Sequence, residues 1–382
     1  MPAEPHIATD APADDDPAAP RWRRLAPVLA LLVLAPWAAE CSWGGFTLTN
    51  FLAVVIFLGP MYGGAAILIR ETARHLGAGW PAIVLLAAAF GVLQAGLVDQ
   101  SLFNPGYLDH TEYAGTAVAA RTTPLPGMGV DTRQVIDFVG NHILLSMCAP
   151  IALVESFLDR ARRSRPWLGR RGLAVVAVLY LLGSLLIFSD DGGRKGFLAT
   201  PAQLVGAAAL TLILVSLALL PRWRHGRRHP PVTDRMPAGD LTPAEQQAPA
   251  VGQPSSTVGP VPVGRAGAPR PLWVALLVLA AQLAVGLVAG WLGVAVALLA
   301  AATVGAMIVH WAGRAGWGQR HVLAAGTASL VSAAGFAYLV PPYAPATPAA
   351  SLAGDLAVTV ITAVLIGGAW WRLRRRTVFG RS

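Results

Sequence analysis

The sequence predicts an all-α fold, a polytopic membrane helical bundle of about ten transmembrane helices with the N-terminus and the C-terminus both cytoplasmic. Three observations carry that prediction. Ten stretches of about 17 to 23 mostly apolar residues follow one another, each long enough as a helix to cross a hydrocarbon core. Of 382 residues 55% are hydrophobic and only 13% are charged, and the mean hydropathy is +0.55, too apolar for a soluble globule of this length. The loops between the stretches are alternately arginine-rich and arginine-poor.

Taken in order, residues 1–20 hold five prolines and the run Asp14 to Asp16 with almost no large apolar side chain. Nothing there offsets the entropy of ordering, so a disordered acidic cytoplasmic tail is expected. The spans then fall near 25–41, 48–69, 80–98, 135–157, 172–188, 201–220, 272–289, 292–312, 321–340 and 351–371. All should be helical, because unpaired backbone groups are not tolerated against lipid. Between the sixth and seventh spans, residues 221–271 carry eleven prolines and the basic residues Arg222, Arg224, Arg227 and Arg228 without helical periodicity. This flexible cytoplasmic linker divides a six-helix block, 21–220, from a nearly all-apolar four-helix block, 272–371. A basic cytoplasmic tail, 372–382, closes the chain.

The orientation follows from the arginines. Arg21 to Arg24, Arg70 with Arg74, Arg160 to Arg171, the linker, Arg314 with Arg320, and Arg372 to Arg376 fall on one side when the spans alternate, and that side is the cytoplasm. The exceptions are Arg121 and Arg133 in the long third loop, and Arg194 with Lys195 beside Asp190 and Asp191. The formal charge of +9 is thereby explained by anionic lipid and membrane insertion, so the bilayer and not nucleic acid is the expected partner. Lys195 is the one lysine, an arginine bias typical of GC-rich bacterial coding, which makes the bacterial cytoplasmic membrane the expected location. Cys41 and Cys148 lie at different depths and should not pair, and Glu40 stands where a lipoprotein cleavage site needs a small residue. No cofactor, nucleotide or metal signature is present, so no cofactor is expected.

The membrane-embedded polar groups are the candidate site. On the fourth span Asp137, Asn141, Cys148 and Glu155 fall within roughly 40° of one another at about 100° per residue, a polar stripe on one face. His142 points about 100° away and is expected to donate a hydrogen bond to a neighbouring helix. Gln94, in the middle of the third span, is expected to join helices, so the polar seam comprises Gln94, Asp137, Asn141, His142, Cys148 and Glu155. At the end of the second span Arg70 is expected to snorkel and Glu71 to pair with an arginine of the Arg160 to Arg171 loop. The second span should kink at Gly59 and Pro60. The outer loop from Gln100 to Gln134, with Tyr107, Asp109, His110, Glu112 and Tyr113, reads as an aromatic-anchored interfacial loop. In the last four spans Gln282, His310 and Asp355 are isolated, and Gly286 with Gly290 makes one small-residue packing motif.

Two stretches carry a resemblance. Arg70, Glu71, Gly79, Trp80, Pro81, Gly96, Leu97 and Gln100 to Pro105, followed by His142, Ser146, Pro150, Ile151, Val154, Glu155 and Pro166 to Gly169, resemble a group of uncharacterised bacterial multi-pass membrane proteins over the first six spans. That likeness implies a fold more than an activity. Phe138 to His142 also reads FxxxH, one motif of the CPBP (CAAX-type) intramembrane proteases, but the glutamate pair of that family is missing and Ser146 stands where it has Asn or Asp. If this chain hydrolysed, the resemblance would put the chemistry on His142 with Glu71, Asp137 or Glu155.

The residues therefore point first to a non-enzymatic membrane protein whose first six helices use a polar seam for solute or lipid handling or for partner binding. A CPBP-like hydrolase, or a non-proteolytic relative, is the second reading. A membrane subunit that docks a membrane-protein partner of an exporter or regulatory complex through the basic linker is the third.

Overall fold

The computed structural model describes residues 21–189, 196–223 and 267–378. The expected tail 1–20, most of the linker, Asp190, Asp191, Arg194, Lys195 and residues 379–382 lie outside the described residues. Every one of the ten apolar stretches is helical. Among the described residues seven helices are long and apolar enough to cross a membrane, which makes this an all-α membrane protein: α2 (Leu48–His75), α3 (Trp80–Val98), α5 (Thr132–Phe157), α7 (Arg170–Ser189), α8 (Pro201–Ala218), α10 (Gly290–Ala312) and α12 (Pro348–Val378, apolar to Arg375). Two shorter apolar helices are α1, Arg21–Pro36 continued by Trp37–Cys41, and α9 (Pro271–Leu287). Gln319–Ala337 forms α11.

The helices begin and end where local chemistry demands. Asp131 caps α5, its carboxylate accepting from Gln134 N at 3.1 Å and from Thr123 N at 2.7 Å. Thr200 and Gln203 cap α8 reciprocally, with Pro201 in the first turn. The second span runs to His75, past the expected end at 69, because Arg70, Glu71 and Arg74 find partners inside the protein.

The 100–134 loop is more structured than expected. It contains α4 (Ala114–Ala120) and a two-residue antiparallel ladder, β1 (Pro124–Leu125) with β2 (Val130–Asp131). The short helix α6 (Arg160–Ser164) opens the arginine-rich loop after α5, where Asp159 caps it at Arg162 N, 2.7 Å.

The largest apolar core joins Leu31 of α1, Met61 and Ile67 of α2, Ile83 of α3, and Met147 and Ile151 of α5. Close approach is built in. A Cβ on Gly63 would stand 2.5 Å from Leu32 Cα, and one on Gly183 2.7 Å from Met61 N. The two blocks touch through α5: Leu145 and Ala149 pack with Leu330 and Ala333 of α11, and Leu153 packs with Leu323 and with Leu373 of α12. The expected glycine motif of the second block does not act in packing. Gly290 has φ +65 and starts α10 after a break, and a Cβ at Gly286 or Gly290 would meet nothing within 4 Å. Away from these contacts large apolar side chains such as Leu182, Val205, Leu299 and Val364 are exposed, the surface that lipid covers.

Candidate functional site

Two buried polar centres lie at opposite ends of the first block. At the arginine-rich end, Arg70 and Glu71 are wholly buried and form an ion pair. Arg70 also donates to Glu155 Oε1 at 3.2 Å and to the carbonyls of Arg162 and Arg163 at 3.1 and 2.8 Å, and its guanidinium stacks 3.6 Å from the Trp167 ring. Arg74 binds both oxygens of Glu155 through Nη2, at 2.8 and 2.9 Å. The second oxygen of Glu71 accepts from the backbone of Trp167 and Leu168 at 2.8 and 2.9 Å.

Two arginines thus balance two glutamates, and the knot fastens the 158–169 loop beneath α2. Arg70 does not snorkel, because Glu71, Glu155 and two loop carbonyls satisfy its donors inside the protein. Glu71 meets the loop's backbone and its own neighbour Arg70 instead of a loop arginine. Every charge is matched by geometry, which is the arrangement of a structural tie.

The second centre lies toward the arginine-poor end and has a different character. Four helices are locally wound in π form, each marked by an i→i+5 backbone bond: Ser42 N to Trp37 O, Gly64 N to Gly59 O, Asp99 N to Gln94 O, and Ala149 N to Leu144 O. The segments are Trp37–Cys41, Val54–Gly63, Gln94–Val98 and His142–Cys148. Each delivers a polar side chain to the same region: Glu40, Tyr62, Gln94 and His142. Such bulges cost helical regularity and often occur at functional sites.

The groups connect as follows. Tyr62 Oη donates to Glu40 Oε1 at 2.6 Å. The Tyr62 ring lies 5.8 Å from the His142 ring, and Phe90 lies 5.5 Å from His142, centroid to centroid. Gln94 Nε2 donates to Asp99 Oδ2 at 3.3 Å, and Ser101 N donates to Oδ1 at 2.9 Å. Asp99 is within electrostatic reach of His142, Glu40 and Tyr62. Gln100, next to Asp99, has φ +56, a left-handed conformation that a glutamine adopts only when its surroundings impose it. Its Oε1 accepts from Ala199 N at 2.8 Å, which holds that turn.

Not all of these atoms are satisfied. His142 Nδ1 lies 2.7 Å from Phe138 O, and a carbonyl can only accept, so Nδ1 carries the proton. In the neutral ring Nε2 is then a bare lone pair. Among the described residues Nε2 is buried without a hydrogen-bond partner, and so is Gln94 Oε1. His142 is 7% and Gln94 1% exposed, whereas Glu40 is the partly exposed member of the group. Among the described residues no ion pair involves Glu40 or Asp99. The centre is therefore rich in acceptors and carboxylates and lacks a protein cation.

Above Glu40 the rings of Trp43, Phe46, Tyr113 and Tyr343 pack edge to face, with Tyr343 5.2 Å from both Trp43 and Phe46. Backbone bonds from Tyr343 N to Gly45 O and from Glu112 N to Tyr343 O, 2.8 and 3.0 Å, join three loops there. Burial, reinforced by Glu40, pushes the Tyr343 phenol well above its ordinary value, so the ring stays neutral.

The residues expected to form one seam separate into several environments. Gln94 and His142 belong to the π-helical centre, though each bonds within its own chain segment and not across helices. Glu155 belongs to the arginine knot. Asp137 is ion-paired with Arg133 at 3.0 Å, Asn141 is exposed, and Cys148 packs half-buried against the apolar core. The reason is the π segment itself, which sets residues after it back by roughly 100° from uninterrupted α geometry, so 137–141 and 148–155 do not share a face.

Nor are His142, Glu71, Asp137 and Glu155 brought together, since Glu71 and Glu155 are committed to arginines about 20 Å further along α5 from His142. Among the described residues no three His, Cys, Asp or Glu side chains could hold a metal ion. Cys41 and Cys148 are both free thiols.

Comparison with protein-family models, with curated proteins and with solved structures finds no match for this chain. The fold and its site therefore define the class: a multi-pass helical membrane protein with a buried, acceptor-rich centre between its first, second, third and fifth helices.

Proposed function

We propose that this is a non-enzymatic, ten-helix protein of the bacterial cytoplasmic membrane, with both termini cytoplasmic, that handles a small solute at the π-helical centre from the outer side. The observation that carries the reading is the convergence of four π segments on one place, with His142 Nε2 and Gln94 Oε1 left open there. Scaffolding needs no such arrangement. A buried acceptor without a donor costs about 1 to 3 kcal/mol, and a ligand that supplies the donor recovers that cost. The arginine knot supports the same division of labour, because it fixes the cytoplasmic ends of the helices while the outer ends carry the unfilled valences.

The test uses cysteines as probes of access. In a Cys41→Ser, Cys148→Ser background, single Glu40→Cys and Gln94→Cys variants are exposed in intact cells to a membrane-impermeant thiol reagent added outside. The reading expects Glu40→Cys to label readily and Gln94→Cys to label more slowly. If neither labels from outside, the centre is a packed seam and the protein becomes a scaffold or partner subunit. Cleavage of a membrane substrate that is lost in His142→Ala would instead move it to the hydrolase class.

A further inference from the structure

We propose that a cleft at the arginine-poor end of the second block binds a small organic cation, an ammonium carried on an apolar body. This goes beyond the reading above and stands on different residues. The cleft has a volume of about 440 Å³ and lies between the end of α11, the 338–348 loop and the start of α12, with Glu112 of the 100–134 loop completing its wall. Val340, Pro341, Pro345 and Leu352 give it an apolar lining, and Asp355 is its second carboxylate. That volume and that mixture, a mostly apolar wall with a few polar groups, suit a small molecule.

Asp355 is the residue that calls for a partner. It is the one charged residue from Pro348 to Trp371, and a charge on an apolar membrane helix is costly unless something offsets it. Among the described residues neither Asp355 nor Glu112 is in an ion pair, and no arginine, lysine or histidine lines the cleft. The walls are fixed without a ligand. A Cβ on Gly44, which has φ +87, would stand 3.4 Å from Asp355 Oδ1 and 3.1 Å from Ala337 Cβ, so that turn closes one side of the carboxylate by backbone alone. Glu112 N donates to Tyr343 O at 3.0 Å, which holds the opposite wall against the 338–348 loop. An ammonium meets the two carboxylates, and its apolar body covers the proline-rich lining. A bare metal ion would leave that lining unused and would lack ligands, since among the described residues no three His, Cys, Asp or Glu side chains could hold one.

The test titrates dansylcadaverine, a fluorescent apolar body bearing one ammonium, into the full-length protein in phosphatidylcholine nanodiscs, with empty nanodiscs as the background and the N-acetylated, neutral probe as the control. Saturable binding of the charged probe should exceed that of the neutral one and weaken as salt is added. Asp355→Asn should weaken it about fivefold, Glu112→Gln, at the more exposed residue, about twofold, and the pair together about tenfold. Ala346→Trp, at an exposed position on the cleft, should abolish binding by filling the space while leaving both carboxylates in place. Equal binding of the charged and neutral probes, binding no greater than to empty nanodiscs, or an affinity unchanged by the double substitution or by Ala346→Trp overturns the proposal.

Discussion

Replacing Glu155 by glutamine tests how the arginine-rich end is held. The wild-type carboxylate accepts from Arg70 Nε at 3.2 Å, from Arg74 Nε at 3.2 Å and from Arg74 Nη2 at 2.8 and 2.9 Å, and it is wholly buried. Glutamine keeps the shape and one acceptor. It also turns an amide donor toward the Arg74 donors and leaves two arginines facing one carboxylate. Arg70 retains Glu71 and two carbonyls, but Arg74, only 11% exposed, is left with neutral acceptors, the amide oxygen and Ala78 O at 3.3 Å. Breaking one partner of a buried pair costs about 3 to 5 kcal/mol, and the slight exposure of Arg74 places this case near the lower figure, roughly a hundredfold in the unfolding equilibrium.

The comparison is Asp137→Asn. Its i,i+4 pair with Arg133 is 14% and 38% exposed, so its loss should cost about 0.5 kcal/mol. Unfolding by sodium dodecyl sulfate in mixed micelles, followed by tryptophan fluorescence, measures both. Arg74→Gln combined with Glu155→Gln should recover much of the loss, since the stranded charge is then removed. Equal effects of Glu155→Gln and Asp137→Asn, or no recovery in the double variant, would refute the knot as a buried, charge-balanced tie.

Three further outcomes are expected. Gly63→Ala drives a methyl into the backbone of α1 at Leu32 and should cost about 1 to 3 kcal/mol in the same assay, whereas Gly115→Ala, with open space around it, should be neutral or slightly stabilising. Trp167→Leu removes the ring stacked on Arg70 and should cost about 1 to 2 kcal/mol, with protease sensitivity of the 158–169 loop rising in parallel. If the chain is split within 224–266, the two halves should co-purify from mild detergent through the α5–α11 contact. Gly326→Leu should abolish that association, because a Cβ there already stands 3.3 Å from Ala149 Cα.

The spans were legible because a helix in lipid needs a run of apolar residues and nothing else in the chain provides one. Orientation-bearing arginines were equally plain as a pattern, yet Arg70 looks the same in sequence as an arginine that snorkels. Only the arrival of Glu155 and the 162–163 carbonyls from distant chain explains its burial. The candidate centre was half legible. Gln94 and His142 stood out as polar residues at depth, while Tyr62 resembled any interfacial aromatic and Asp99 any span-closing acid. Glu40 carried a usable signal as the one acidic residue within its span. What sequence periodicity could not supply was the phase shift, since a constant 100° step puts Asp137, Asn141, Cys148 and Glu155 on one face and π winding takes them off it.

Everything assigned to the π-helical centre depends on His142 presenting an open acceptor inside it. Nitrogen-15 NMR of the histidine-labelled protein in lipid, with the His142 signals assigned by their loss in His142→Gln, measures it directly. The expected spectrum is that of a neutral ring protonated on Nδ1 and bare on Nε2 at alkaline pH, gaining its second proton on Nε2 as the pH falls. A neutral ring protonated on Nε2, with Nδ1 bare, would contradict the bond to Phe138 and with it the site.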